Sequence, residues 1–183
     1  MKLLYGGLGA LALVCAAGGL FSAPAQAALA VGAAAPDFSA EASLGGKTFA
    51  FSMAEALKKG PVVLYFYPKS FTKGCTIEAH EFAEATDKFA GYGATVIGIS
   101  HDDIATQKKF SQEECRDKFA VAADPEGKVI GAYDAKMGDM AMSNRISYVI
   151  TPDHKIAFVH SDMSPDQHVT LTLAAVKAWK DKH

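Results

Sequence analysis

Cys75 stands in the segment Tyr67-Pro68-Lys69-Ser70-Phe71-Thr72-Lys73-Gly74-Cys75-Thr76-Ile77-Glu78. The residues before it, 62–67, form an unbroken run of apolar, β-branched and aromatic side chains, and those after it have helical spacing. The cysteine therefore falls where a strand hands over to the first turn of a helix. Unpaired backbone N–H groups and the positive end of a helix dipole favour a thiolate there. Lys69 and Lys73 lie close enough in sequence to add positive potential. A thiolate is the nucleophilic form of cysteine, and attack on an O–O bond asks for little beyond it. The sulfur takes one oxygen, and the other leaves with negative charge that fixed donors stabilise. Pro68 can hold the loop and shield the sulfur from water, and Thr72 offers a hydroxyl that both donates and accepts. The sulfenic acid left behind is open to reduction by a second thiol through a disulfide. The plainer reading of Cys75, a packed and inert thiol, fits its place at a helix start poorly.

The elements that must position this loop follow from the residue pattern. Residues 38–51, centred on Leu44-Gly45-Gly46-Lys47, read as a β-hairpin, because two glycines supply the positive φ angles of a tight turn. Ser52 caps a short helix through Leu57, ended by Gly60-Pro61. Residues 62–67 suit a strand covered on both faces. A helix follows over 76–90, with Phe82, Thr86 and Phe89 along one side and Gly91 and Gly93 to stop it. Residues 94–100 form the next buried strand. Asp102 or Asp103 caps a helix running to Lys118, and 119–123 make a short strand. After the turn Asp124-Pro125-Glu126-Gly127 come a short helix over 129–133, an irregular stretch over 134–144 and a hairpin of 146–150 with 156–160. The closing helix spans 165–180, with Val169, Leu173, Val176 and Trp179 spaced to dock on a sheet, and 30–36 read as an exposed lead-in. The order βαβαβ then ββα means an α/β domain, a mixed central sheet with helices on both faces. At 183 residues, with no internal repeat or interdomain linker, the chain fits one domain.

Pro68-x-x-x-Thr72-x-x-Cys75 resembles the active-site signature of the AhpC/TSA-like peroxiredoxins. The longer string from Tyr67 to Ala79 is similar to the bacterioferritin-comigratory, or Q-type, branch. Gly98-Ile99-Ser100, Asp124-Pro125-Glu126-Gly127 and Arg145-Ile146-Ser147-Tyr148-Val149-Ile150 fall where that family has matching segments. The resemblance implies a thioredoxin-like fold with an added N-terminal β-hairpin. It implies a thiol peroxidase that reduces hydrogen peroxide and organic hydroperoxides, with no cofactor and no metal. In it Cys75 is the peroxidatic thiol, while Thr72, the Cys75 backbone N–H and Arg145 bind the peroxide and Glu78 orients Arg145. Its partners would be the peroxide and a thioredoxin-like or other thiol reductant, with the protein a monomer or homodimer. One departure matters. Many Q-type members carry a resolving cysteine five residues after the peroxidatic one, and this chain has His80 there. Either an external thiol resolves Cys75, or Cys115 does, as in members with a resolving cysteine on the next helix. Cys115 lies one helical turn after Ser111 and one before Phe119, so it can also face the core as a small hydrophobe.

Other functions are less well served. A disulfide oxidoreductase uses Cys-x-x-Cys, and Glu78 occupies the second place. Copper-delivery modules on the same architecture use Cys-x-x-x-Cys with a distant histidine, and Ala79 occupies that place. A non-catalytic holdase of the same fold leaves no mark that sequence distinguishes. Met137, Met140 and Met142 offer soft thioethers suited to Cu(I), although their place in an irregular, glycine-containing stretch fits gap-filling methionines better. His80, His101, His154, His160, His168 and His183 show no tight metal-ligand spacing. A net charge of −2 with no basic stripe argues against nucleic acid or an anionic membrane as a partner.

The first residues carry a different signal. Lys2, an apolar run over 3–21 and the small-residue stretch Ser22-Ala23-Pro24-Ala25-Gln26-Ala27 compose a secretory signal peptide with an Ala25-x-Ala27 cleavage site. Residues 1–27 are then removed, and 28–183 form the exported, periplasmic domain with no stable membrane association. Bulky Val14 before Cys15 argues against lipidation, so Cys15 leaves with the peptide and Cys75 and Cys115 remain. N-terminal sequencing of the protein from an envelope fraction should begin within a few residues of Ala28; full-length chain in the cytoplasm would overturn this.

Overall fold

A computed structural model describes residues 28–183; the expected signal peptide, Cys15 included, lies outside the described residues. The architecture grows from β3 (Val62–Phe66), whose five side chains are all buried. Alternation along a strand sends Val62, Leu64 and Phe66 to one face and Val63 and Tyr65 to the other. Both faces must therefore be covered, and each is. The first three belong to a cluster with Leu57, Ile130, Tyr133 and Tyr148. The other two join Phe82, Phe89, Phe110 and Val176. Burial of each such side chain contributes roughly 1.5–3 kcal/mol.

Around β3 the chain builds one seven-stranded sheet. The hairpin is β1 (Ser39–Leu44) and β2 (Lys47–Ser52), turned by Gly45 and Gly46 at φ +56 and +72. A Cβ on Gly46 would come within 2.5 Å of the Gln112 side chain, so this glycine also permits a close approach. Ser52 caps α1 (Met53–Leu57), as expected. Then follow α2 (Lys73–Gly91), β4 (Thr95–Ser100), α3 (Ile104–Glu113), β5 (Ala120–Ala123), α4 (Lys128–Ala132), β6 (Ile146–Thr151), β7 (Lys155–Ser161) and α5 (His168–Lys180). The strand order is β2-β1-β5-β4-β3-β6-β7, with β3, β4 and β5 parallel and the other pairings antiparallel. Helices α1 and α4 supply the first cluster, and α2 and α5 cover the opposite face. The mixed α/β sheet with its added N-terminal hairpin is the architecture anticipated.

Four local expectations change. Helix α2 begins at Lys73, three residues early, so Cys75 lies inside the first turn. Helix α3 ends at Glu113 rather than Lys118, because the chain turns away through Arg116 and Asp117 at φ +52 and +57; Cys115 therefore sits beyond the helix. Helix α5 begins at His168, after Gln167 at φ +72, and not at Pro165. The lead-in is more than an exposed tail: the Gly32 N–H donates to the Ile156 carbonyl at 2.7 Å, Ala34 bridges to Lys155 and Ala35 is buried. Among the described residues no helix is long and apolar enough to cross a membrane.

The start of α5 is tied to β6 by one fully buried histidine. His168 Nε2–H donates to the Asp162 carbonyl at 3.0 Å, so Nδ1 carries the lone pair and accepts from the Ser147 hydroxyl at 2.8 Å. Burial, with the neighbouring His160 and Arg145 against protonation, pushes the ring down to about 4. A depressed histidine binds fewer protons folded than unfolded, so the stability it supplies is present above about pH 6.5 and is lost as pH falls towards 4. The wild type should therefore lose roughly 3 kcal/mol more than His168→Gln across that window, at about 1.4 kcal/mol per tenfold in proton affinity. Urea melts at a series of pH values measure this; parallel curves for the two proteins would refute it.

Candidate active site

Strand β3 ends and α2 begins across the loop 67–72, which the surrounding chain pins from several sides. The Ser143 hydroxyl donates to the Tyr67 carbonyl at 2.8 Å, and the Ser70 N–H donates to Asp102 Oδ2 at 2.7 Å. The Tyr67 hydroxyl donates to Gln107 Oε1 at 2.7 Å. Of the two aspartates that could cap α3, Asp103 does so, and Asp102 is thereby released to hold this loop. Phe71 adopts φ +64, unusual for a side chain of its size, and lies edge-on to Phe110.

This anchoring delivers Thr72 to the N-cap of α2 and Cys75 to its first turn, with the sulfur side chain only 1 % exposed. The first helical bond runs from the Thr76 N–H to the Thr72 carbonyl, so the N–H groups of residues 73–75 precede the internal ladder. The Thr72 hydroxyl donates to the Lys69 carbonyl at 2.9 Å, which leaves its oxygen to accept from a ligand. Pro68 is half-buried beside them.

The cation at the sulfur comes from across the sheet. Arg145 immediately precedes β6, the neighbour of β3, and its guanidinium is spread over three partners. Nη2 donates to Cys75 Sγ at 3.5 Å, Nε to the Met163 carbonyl at 3.0 Å, and Nη1 to Glu78 Oε2 in direct contact. Glu78 is reachable because it lies one helical turn beyond Cys75 on the same face. Gly74 matters for the same reason: a Cβ there would sit 3.1 Å from Arg145 Nη2. Lys69 and Lys73, read as able to add positive potential, are exposed, and the cation in contact with the sulfur is Arg145.

Arg145 and Glu78 are both buried. Burial raises the Glu78 carboxyl, to about 8, against the opposing charge and hydrogen bonds of Arg145. Burial also disfavours the Arg145 cation, but Glu78 and then Cys75 more than reverse this, so its affinity for the proton rises. These two tendencies disagree about whether Glu78 is charged. Direct contact with a guanidinium, which does not give up its proton, decides for the ion pair. The remaining oxygen, Glu78 Oε1, has no hydrogen-bond partner and lies 3.7 Å from His168 Nδ1.

Cys115 is fully buried in the turn after α3, in the same cluster as Cys75, and both are free thiols. Burial pushes its thiol up, and Glu114 and Asp117 add to the rise. His80, at the position where the resemblance places a resolving cysteine in many members, instead meets Glu114 Oε2 at 2.6 Å. The site thus brings Cys75, Thr72, Arg145, Glu78 and Pro68 together, while Cys115 lies in the turn after α3. Sequence reasoning missed Asp102, Gln107 and Ser143, which hold the loop, and Ser147, His168 and the Met163 carbonyl behind Arg145. Ser147 lay in a segment singled out by resemblance, whereas Asp102 was read only as a possible helix cap and His168 only as one of six scattered histidines; a backbone carbonyl leaves no trace in residue types. In the methionine loop, Met137 and Met142 pair through the backbone at 3.1 Å and Met140 is exposed. No cluster of three His, Cys, Asp or Glu suited to a metal occurs among the described residues. An apolar groove of about 450 Å³, lined by Phe49, Phe51, Ala90 and Phe119, lies at the opposite end of the parallel strands from Cys75.

Residues 31–159 match the AhpC/TSA family. A peroxiredoxin-type protein of Mycobacterium tuberculosis (strain H37Rv) is 35 % identical over 126 residues, covering 67 % of this chain and 81 % of that one. Chloroplastic peroxiredoxin Q of Triticum aestivum is 33 % identical over 135 residues, 72 % of this chain and 60 % of that protein. The crystal structure of peroxidoxin BcpB from Mycobacterium tuberculosis superposes with a TM-score of 0.73 at 32 % identity, covering 81 % of this chain and 96 % of that one. The fold is shared more widely, as with a reduced 2-Cys peroxiredoxin of Plasmodium vivax at a TM-score of 0.75 and 23 % identity. The chain belongs to the AhpC/TSA family of peroxiredoxins, in its Q-type, bacterioferritin-comigratory branch, and is a thiol peroxidase.

Proposed function

We propose that Cys75 is the peroxidatic thiol of an exported enzyme that reduces hydrogen peroxide and organic hydroperoxides. The observation that carries this reading is the Arg145 guanidinium, which donates to Cys75 Sγ while Glu78 and the Met163 carbonyl hold it in place. A cation donating to sulfur favours the thiolate over the thiol. The thiolate attacks the nearer peroxide oxygen, the O–O bond breaks, and the other oxygen departs with the electron pair and gains a proton to become water or an alcohol. Arg145 and the N–H groups at the head of α2 are aimed where that negative charge develops. Thr72, its own proton committed to Lys69, accepts the peroxide O–H and orients it. Pro68 limits water at the sulfur.

Cys75 is left as a sulfenic acid. Cys115 resolves it: its thiolate attacks the Cys75 sulfur, hydroxide leaves and is protonated to water, and a Cys75–Cys115 disulfide forms. A thioredoxin-like or other dithiol reductant then takes the disulfide back to two thiols. Both cysteines are buried free thiols, and in this reading Cys115 leaves its turn and the first turn of α2 unwinds to bring the sulfurs to bonding geometry. A second reading, resolution by an external thiol, is favoured by the depth of Cys115 and by its raised pKa. Intact mass after one equivalent of peroxide separates the two. A loss of two hydrogens supports the internal disulfide, and a gain of one oxygen supports the external thiol.

Cys75→Ser should abolish peroxide reduction in a coupled assay, and wild-type turnover by that variant would overturn the reading. Arg145→Lys keeps a cation against Glu78 but loses the planar fork that reaches sulfur, glutamate and carbonyl together. Its rate of Cys75 oxidation should fall by about tenfold or more. Stopped-flow oxidation with folding checked by circular dichroism measures this, and an unchanged rate would remove Arg145 from the mechanism.

A further inference from the structure

The segment that holds Cys115 in the core is fastened to α2 by a ladder of three polar contacts. His80 Nε2 meets Glu114 Oε2 at 2.6 Å, Arg116 Nη1 meets Glu84 Oε1 at 3.2 Å, and Lys118 Nζ meets Asp87 Oδ2 at 3.8 Å. The three α2 residues are spaced i, i+4, i+7 and so share one face of the helix. Their partners fall at every second residue of 114–118, on either side of Cys115. They grade outwards from the half-buried His80–Glu114 contact to the exposed Asp87–Lys118 pair.

What the ladder closes is under strain. Arg116 and Asp117 are consecutive residues with side chains in the left-handed region, at φ +52 and +57, a conformation that favours glycine. Behind them Tyr65, whose ring packs on Phe119, is fully buried with a hydroxyl that has no hydrogen-bond partner. An unpartnered buried hydroxyl and two left-handed residues both weigh against the closed form. Apolar burial of Cys115 and Phe119, together with the ladder, weighs for it.

We propose that His80, Glu84 and Asp87 are positioning residues that govern the release of Cys115, and that they thereby set the rate of disulfide formation without touching the peroxide step. The inference rests on the resolving role proposed for Cys115. While the ladder is shut, Cys115 is inaccessible to Cys75 and to solvent. When it opens, the strain at residues 116–117 is relieved and the thiol swings out. The two outer pairs lie at the surface, so opening is promoted by salt.

The test separates release from resolution. In a Cys75→Ser background, labelling of Cys115 by iodoacetamide, followed by intact mass, reads opening directly. Each exposed pair weights the closed form by about two-fold. The combined variant His80→Ala, Glu84→Gln, Asp87→Asn should therefore label about tenfold faster, and 1 M NaCl should accelerate the unaltered ladder by several-fold. Glu84→Arg alone should accelerate labelling, and pairing it with Arg116→Glu should return the rate to its starting value, a rescue that general loosening of the fold would not produce. With Cys75 present, the same substitutions should speed the disulfide while the oxidation of Cys75 by peroxide keeps its rate. Unchanged labelling in the triple variant, with its fold intact by circular dichroism, overturns the ladder. Faster labelling with no Cys75–Cys115 disulfide in any variant upholds the ladder as the lock on Cys115 and overturns the resolving role instead.

Discussion

A guanidinium buried beside a cysteine sulfur is the constraint on which the rest of this molecule turns. Arg145 is 4 % exposed, and a charge so far from water is tolerable only if each of its nitrogens finds a partner. The structure meets that demand with a carboxylate, a backbone carbonyl and the sulfur itself. The partners come from two parts of the chain and Arg145 from a third: Glu78 and Cys75 from α2, Met163 from the connection between β7 and α5, and Arg145 from just before β6. The active site and the packing of three elements are therefore one arrangement. Removing Glu78 or unseating α5 would leave a buried cation short of partners, with consequences for stability as well as for chemistry.

The polar groups behind Arg145 serve the same requirement at one remove. His168 is neutral, donating to Asp162 and accepting from Ser147, and so joins the start of α5 to β6, the strand that Arg145 precedes. On the other side of the sulfur, Asp102, Gln107 and Ser143 fasten the loop that carries Thr72. Substrate atoms would meet only the thiol, the guanidinium, the threonine and backbone N–H groups. Nearly everything else polar near the site holds those few in place.

The second cysteine poses the opposite physical problem. In the proposed cycle Cys75 is kept in a fixed polar setting, whereas Cys115 has to leave an apolar one. Full burial, a raised thiol and a turn with two left-handed residues describe a group stored in an inactive position. Storage of that kind suits a thiol that is needed only after the first has been oxidised, because a premature thiolate would invite side reactions. In the proposal above, the turn after α3 and one face of α2 control this.

Much of this was legible in the residues alone. The hydrophobic run at 62–67, the Gly45-Gly46 turn, the Ser52 cap and the strand-to-helix placement of Cys75 are local patterns, and each gave its element. Pro68, Thr72 and Cys75 lie within eight consecutive residues, so spacing was enough to group them, and Glu78 and Arg145 joined them through resemblance. What tertiary structure decided is whatever depends on residues far apart in sequence. The hairpin's place beside β5, Met163 as the third partner of Arg145, and the His168–Ser147 link have no local signature, because a carbonyl oxygen or a buried hydroxyl takes its role from what the fold brings opposite it. The fate of Cys115 belongs here too. Helical spacing carried α3 through to Lys118, yet the chain turns at Arg116 and Asp117, residues with no glycine to announce the turn. Local propensity yields there to the contacts 114–118 make with α2, and contacts between distant segments exist only once the chain has folded.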